Sequence, residues 1–337
     1  MQDKIERKRL AILKILRDEG KPFGSQQITD RLTALGYDIS GRTARFHLLA
    51  MDKQGLTEYV GKRGRRITNR GLDEITNARV YEKVGFLSAR INQMTFSMDF
   101  DLDSRKGSLI VNISLIKLND LLPACPLIKR VYEKGFSMGE LIALFEPGER
   151  VGETVVPAGY IGVGTVCSIT LNGVLLAHKI PVNSRFGGLL EIQEHRPVRF
   201  VSIINYDGTS LDPLEIFIRS GMTDYLGATG DGNGLIGAGF REMPAATRAS
   251  VQDIADRLTR VGLGGFMQIG MPNQDVSEIP VSEGNIGAVV IGGLNPIAIL
   301  EEAGFEIHSR ALSGHVEYSR LFSYEELEDR AHTVTGR

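Results

Sequence analysis

Residues 107–318 compare well with themselves, and this internal duplication limits the possible folds more than any other feature of the chain. The stretch VVPAGYIGVGTVCSITLNGVLLAHKIPVNSRFGGLLEI lines up with IPVSEGNIGAVVIGGLNPIAILEEAGFEIHSRALSGHVEY. Gly159, Ile161 and Gly162 meet Gly284, Ile286 and Gly287; Leu171 and Asn172 meet Leu294 and Asn295. Ser184 and Arg185 meet Ser309 and Arg310; Gly188 and Glu191 meet Gly314 and Glu317. Upstream, IKRVYEKGF pairs with ADRLTRVGL, and the strand-like LIVNISLI pairs with RFVSIINY. The chain therefore carries two repeats, at about 107–192 and 197–318.

The repeat resolves a local ambiguity. Alone, TLNGVLL has the Asn-Gly signal of a tight hairpin. Its counterpart GLNPIAILEEAG places Asn as N-cap, Pro at the first helical position and Gly at the end, so a helix follows Asn172 as well. Each unit then reads strand, helix, strands, helix, strand, an α/β (α+β) layer architecture. Gly107 to Gly135 spans 28 residues, whereas Pro197 to Gly262, read as its counterpart, spans 65. The second copy is thus expected to carry a long insertion containing SGMTDYLGATGDGNGLIGAGF, with Thr223, Asp224, Thr229 and Asp231, of the kind that is functional or mobile when it lacks structure of its own.

Charge divides the chain differently. Residues 1–72 hold 16 Lys and Arg against 8 Asp and Glu, a net of +8, while residues 73–337 hold 23 against 33, a net of -10. A basic head on an acidic body points to localised nucleic-acid contact. In that head, Ile5, Leu10, Ile12, Leu13 and Leu16 recur at helical spacing and Gly20 ends the pattern. Ser25 can cap a second helix, with Ile28, Leu32 and Leu35 on its inner face. Ser40 caps a third, running to about Lys53, in which Ala44, Leu48 and Met51 face inward and Arg42 and Arg45 do not. Phe46 and Leu49 sit near the outer face and are read as contacts to a linker helix or partner subunit, and His47 as packing or a phosphate hydrogen bond.

Two helices joined by a short turn, the second opening with basic and hydroxyl residues, match a helix-turn-helix whose recognition helix enters the major groove. GLTEYVGKRGRRITNRG then reads as strand, basic tip and strand, the wing of a winged helix. The expected DNA contacts are Arg42, Thr43 and Arg45 to bases, and Lys62, Arg63, Arg65 and Arg66 to phosphates. The boundaries follow: head 1–72, connector helix 73–94, effector and dimerisation body 95–322, C-terminal tail 323–337.

A duplicated α/β body offers two equivalent loop sets for a small ligand. Arg185 and Arg310, each after a Ser, are the candidate pair for a dicarboxylate, since guanidinium forks bind carboxylates in bidentate fashion. With them go Gly162, Ser184, Thr223, Asp231, Gly287 and Ser309 as candidate effector-binding residues. No GxSxG, HExxH or Walker A sequence occurs, the His315–Glu317 pair lacks a following PCxxC, and no GxGxxG opens a helix after a strand. Cys125 and Cys167 have no metal-type spacing. An enzyme is not expected, nor a metal or cofactor; an enzyme with a DNA-binding head and a redox- or nucleotide-sensing regulator remain the alternatives. No apolar run reaches the roughly 20 residues of a membrane span, and a cytoplasmic protein with no membrane partner is expected.

Five strings, LIVNISLI, GTVCSITLNGVLL, YDGTSLDPLEIFI, GGLNPIAILEEAG and the connector RVYEKVGFLSARI, behind a winged helix, resemble the archaeal nitrogen-regulatory repressors of the NrpR family. The resemblance implies a homodimeric transcriptional repressor that binds inverted-repeat, double-stranded operators of nitrogen-assimilation genes. It further implies release by 2-oxoglutarate, and contact with a PII-type signalling protein or a second repressor chain.

Overall fold

The computed structural model describes residues 2–34, 37, 39–75 and 86–336. The chain separates into two compact units, Met1–Val84 and Gly85–Arg337.

The head is built from α1 (Gln2–Glu19), α2 (Ser25–Ala34), α3 (Gly41–Lys53) and a hairpin of β1 (Thr57–Tyr59) and β2 (Arg65–Ile67). Ile12, Leu13, Leu16, Ile28, Leu32, Ala44, Leu48 and Met51 are all fully buried where the three helices meet. Ser40 caps α3 as its sequence position requires, its Oγ accepting from Thr43 N at 3.2 Å. Phe23 adds a third rung beside β2, exchanging two backbone hydrogen bonds with Arg65 at 2.8 and 3.0 Å. This close approach depends on Gly64: its φ is +105°, and a Cβ there would lie 2.2 Å from Phe23 O. This is a winged helix. The expected connector, 73–94, lies largely outside the described residues; the chain is helical over 69–75 and again in α4 (Phe86–Ser97).

Helix α4 belongs to the body rather than to a linker before it. Leu87, Ile91 and Met94 are buried with Ile110, Cys167, Ile169, Tyr206 and Leu312. The body continues as β3 (Ser108–Lys117), α5 (Leu121–Glu133), β4 (Leu141–Phe145), β5 (Arg150–Val151), β6 (Thr154–Val155), β7 (Tyr160–Val166), α6 (Ile169–Ala177) and β8 (Asn183–Gln193). Then come β9 (Arg196–Asn205), α7 (Pro213–Arg219), α8 (Tyr225–Thr229), β10 (Gly234–Pro244), α9 (Arg248–Arg260), β11 (Phe266–Ile269) and β12 (Asn285–Ile291). The chain closes with α10 (Asn295–Glu302), β13 (His308–Glu317), β14 (Phe322–Ser323) and α11 (Leu327–Thr335).

Two five-stranded antiparallel sheets result, ordered β13-β3-β7-β4-β14 and β11-β12-β10-β8-β9. The last strand of each repeat crosses to the other repeat's sheet: β8 pairs with β10, and β13 with β3. The cores are shared in the same way. One draws on α5 and α10, the other on α6 and α9, and both take strand residues from both sheets. Neither repeat can bury its apolar faces alone, so the body folds as one unit.

The topology corrects three sequence expectations. The counterpart of β3 is β10, not β9: Leu115 faces Gly162 across one ladder and Glu242 faces Gly287 across the other. Gly107 to Gly135 and Gly234 to Gly262 then both span 28 residues, and both helices end on a left-handed glycine, Gly135 and Gly262. The extra segment lies between the repeats rather than inside the second, and it is ordered as β9, α7 and α8, with Tyr225 fully buried. Finally, residues 323–337 are no tail, because α11 buries Leu327 and Ala331 in the core that holds α5.

Candidate nucleic-acid interface and effector site

Of the seven residues expected to meet DNA, five are presented to solvent without a carboxylate partner among the described residues. Arg42, Thr43 and Arg45 are exposed on the first turns of α3, and Lys62 and Arg63 are exposed at the tip of the wing. Arg65 is not among them. Its Nε donates to Asp52 Oδ2 at 2.8 Å, its guanidinium lies 5.1 Å from the Tyr59 ring centre, and its side chain is 13% exposed. Asp52 also accepts from Thr57 Oγ1 at 2.6 Å, so Arg65 ties the wing to the end of α3. Arg66 pairs with Glu58 directly across the hairpin, and both are exposed, which leaves Arg66 able to exchange this partner for a phosphate. His47 is buried; burial, then the charges of Lys8 and Arg9, hold its pKa below the usual value, so the ring packs as a neutral group at neutral pH.

In the body, Ser184 and Ser309 do occupy equivalent ladder positions, opposite Arg241 and Ser114 respectively. Their arginines differ. Arg185 donates through one nitrogen to Glu242 Oε1 at 2.8 Å and to Pro280 O at 2.6 Å, against a carboxylate only 2% exposed. Arg310 is exposed, with no ion pair among the described residues.

The remaining candidates are engaged elsewhere. Thr223 Oγ1 donates to Glu302 Oε1 at 2.7 Å, and Tyr225 N and Leu226 N donate to the same carboxylate, so the start of α8 already holds an internal anion. Asp231 shapes its own turn by accepting from Asn233 N at 3.0 Å. Ser309 Oγ shares a buried 2.8 Å hydrogen bond with Ser114 Oγ. Gly162 and Gly287 serve packing: a Cβ would lie 3.2 Å from Phe145 Cβ at the first and 2.7 Å from Phe240 Cζ at the second. Among the described residues, no hydrogen bond or ion pair brings the eight residues to one point.

Sequence reasoning missed the most unusual charge in the body. Arg241 is 1% exposed and has no carboxylate within ion-pair distance among the described residues. Its hydrogen bonds, to Asn172 Oδ1, Phe240 O and Ser168 Oγ, are long at 3.3 to 3.4 Å, and it lies 5.5 Å from the Tyr206 ring centre. Beside Ser168 is a cavity of about 20 Å³, room for a water, lined also by Asn112, Tyr206, Asp212 and Leu312, where α6 and α10 begin. Asp212 caps α7 by accepting from Leu214 N, and burial, helped by Glu215, pushes its pKa up to about 6. Correct pairing of β3 with β10 would have exposed the signal, because Arg241 stands where the first repeat has Ser114. A larger groove, about 210 Å³ beside α9 and β11, is lined by Gln252, Asp256 and Thr259 and presents no cation to a dianion. Burial pushes the Cys125 and Cys167 thiols up to about 11 and about 12, so neither is a thiolate at neutral pH. The described residues hold no group of three metal-ligating side chains and no helix long and apolar enough to cross a membrane.

A winged helix joined to a duplicated, strand-exchanged α/β body is the build of a two-part DNA-binding regulator. Comparison with known proteins agrees for both parts. Residues 84–323 match the family model for NrpR regulatory domains NRD1 and 2, and residues 10–75 match the ribonuclease R winged-helix domain. The chain is 35% identical over 95% of its length to the global nitrogen regulator NrpRI of Methanosarcina mazei, spanning 99% of that protein. It is 30% identical to the global nitrogen regulator NrpR of Methanococcus maripaludis over 87% of its length, spanning 51% of that longer protein. Among solved structures, the nitrogen repressor-like protein MJ0159 from Methanococcus jannaschii superposes with a TM-score of 0.60 at 31% identity, over 71% of this chain and 97% of that one. The chain belongs to the NrpR family of nitrogen regulators.

Proposed function

We propose that this chain is a transcriptional repressor of nitrogen-assimilation genes that binds inverted-repeat operators as a homodimer and leaves them when 2-oxoglutarate occupies the body. The observation that carries this reading is family membership across both parts at once: the similarity to a global nitrogen regulator spans head and body alike. The head supplies a basic, exposed recognition helix and wing tip. A twofold dimer would present two such heads to a palindrome, which one head alone would read with too little selectivity. The body acts as sensor rather than catalyst, in the cytoplasm with the DNA, and a PII-type protein or a second repressor chain is a further partner.

The test is a fluorescence-anisotropy titration of the full chain into a duplex carrying the promoter of a nitrogen-assimilation gene, with and without millimolar 2-oxoglutarate. Tight binding relieved by 2-oxoglutarate and not by glutarate is expected. Binding indifferent to 2-oxoglutarate removes the effector, and equal binding to scrambled duplex removes the operator.

A further inference from the structure

Around α3, residues advance by roughly 100° each. The buried residues Ala44, His47, Leu48 and Met51 form one stripe. Arg42, Arg45, Phe46, Leu49 and Lys53 fall together in an arc of roughly 100° on the opposite side, and all five are exposed. Phe46 is 69% exposed and Leu49 54%, the two exposed large apolar side chains of α3. Two large apolar side chains on the outermost stripe of a helix, flanked by three cations, are unfavourable in water unless something covers them. Sequence reasoning assigned them to a linker helix or partner subunit. The three cations argue against a protein cover of ordinary composition and for a polyanion, because burying Arg42, Arg45 and Lys53 beneath another chain would strip them of water without supplying phosphates.

We propose that Phe46 and Leu49 are base-reading residues that pack on the 5-methyl groups of thymine in the major groove, while Arg42 and Arg45 contact guanine edges and the flanking phosphates. The inference rests on the head binding DNA, and it adds what kind of base that face selects. The chemistry is specific. Thymine alone among the four bases places a methyl group on the major-groove floor, and apolar side chains read it by contact rather than by hydrogen bonding. The aromatic ring of Phe46 stands edge to face with buried His47, ring centres 6.0 Å apart, which anchors its base while the outer edge stays free to meet the groove. The spacing i, i+3 puts Phe46 and Leu49 about one helical turn apart, so they reach neighbouring base pairs rather than one.

The test begins with selection of preferred duplexes from a random library by the full-length protein, followed by synthesis of the selected site with each thymine replaced singly by deoxyuridine. This exchange deletes one methyl group and leaves every hydrogen-bonding group in place. Wild type is expected to lose about fourfold in affinity at one or two positions per half-site, the factor that burying one methyl-sized group supplies. Phe46→Ala and Leu49→Ala should each bind the thymine duplex more weakly yet become indifferent to deoxyuridine at one of those positions, so that the losses are not additive. Both side chains are exposed, and unchanged thermal melting verifies that the variants fold. Equal affinity of wild type for thymine and deoxyuridine duplexes overturns the inference while leaving DNA binding intact, as does a deoxyuridine penalty that persists in both variants. Failure of the selection to enrich any sequence removes the reading of the head as a sequence-specific binder, and this inference with it.

Discussion

Arg65 Nε lies 2.8 Å from Asp52 Oδ2, joining the wing to the last turn of the recognition helix through two side chains that are 13% and 21% exposed. Asp52 keeps a second bond, from Thr57, when Arg65 is removed, and Tyr59 loses the guanidinium beside it. Arg65→Ala should therefore destabilise the head by about 1.5–3 kcal/mol, the range for a hydrogen bond to a charged group. Denaturant unfolding of the full chain, followed by amide exchange in residues 41–67, checks this. A variant that weakens DNA binding with unchanged protection of the hairpin would place Arg65 on the DNA instead.

The wing tip makes the complementary case. Lys62 and Arg63 have no carboxylate partner among the described residues, so Lys62→Ala and Arg63→Ala should leave stability unchanged. Each should weaken all duplexes alike and reduce the salt slope of binding by about one unit. Arg42→Ala should instead relax sequence preference, by about 1–3 kcal/mol if it reads a guanine. Binding isotherms at three salt concentrations on selected and scrambled duplexes separate the two effects.

The difference between Arg65 and its neighbours marks how far the sequence could be read. The three helices and the wing were legible because their signals are local: a capping serine, helical spacing and a glycine-bounded tip. Arg65 was not, because a three-residue strand gives no periodicity to say which side chain turns inward, and its partner Asp52 lies on another element. In the body, the α/β alternation and the equivalence of Gly162 with Gly287 were recoverable. The first strand of the second repeat was not. In β10 the glycines 234, 237 and 239 dilute the apolar signature, and RFVSIINY in β9 resembled LIVNISLI better although it occupies an outer edge. Those glycines are required by contacts far away in sequence; a Cβ on Gly237 would lie 2.8 Å from Asn295 Oδ1 and from Leu214 Cδ2. The strand exchange between repeats was equally hidden, since identical repeats are compatible with pairing in either way. Of the candidate effector residues, the sequence supplied the recurrence of Ser-Arg, but not that Glu242 occupies Arg185.

Asp212 gives a pH prediction. Burial raises its folded pKa to about 6 from its usual 3.8, so the folded state binds the extra proton between those values. The stability this group contributes is therefore fully present below about pH 3.8 and is lost as pH rises through 6, as the desolvated carboxyl ionises. The shift corresponds to about 3 kcal/mol at most. Asp212→Asn keeps an acceptor for the start of α7 and should make the chain more stable at pH 7 than wild type, with a flatter dependence between pH 4 and 6. Urea unfolding of wild type and Asp212→Asn at pH 4.5 and pH 7.5 measures both; a stability advantage of Asp212→Asn that does not grow from pH 4.5 to pH 7.5 contradicts the assignment.

The proposed homodimer can be tested with a fragment. A body starting after residue 94 would discard Leu87 and Ile91, which are buried against Ile110 and Leu312, so the cut belongs at Gly85. A fragment of residues 85–337 is expected to be a folded dimer by light scattering, and a fragment of residues 1–75 a monomer. A dimeric head with a monomeric body would place a twofold interface in the head, and two monomers would remove the proposed homodimer.

The effector prediction turns on the inequality of the two repeated arginines. Arg310 is exposed and has no ion pair among the described residues, while Arg185 holds Glu242 and Pro280 O. A dicarboxylate gains most from a guanidinium that gives up no partner, so Arg310→Ala should weaken 2-oxoglutarate binding without altering stability. Arg185→Ala should lower stability first, because Glu242, 2% exposed, would keep, among the described residues, only the Ser282 amide as a partner. If 2-oxoglutarate releases the head from DNA, linkage requires operator DNA to weaken 2-oxoglutarate binding by the same factor, about 5- to 150-fold for a coupling of 1–3 kcal/mol. Calorimetric titration of 2-oxoglutarate into wild type and Arg310→Ala, each with and without a saturating operator duplex, measures every term. Undiminished binding in Arg310→Ala excludes that arginine as a ligand. Equal affinity with and without DNA in wild type means that whatever 2-oxoglutarate does in the body, it does not move the head.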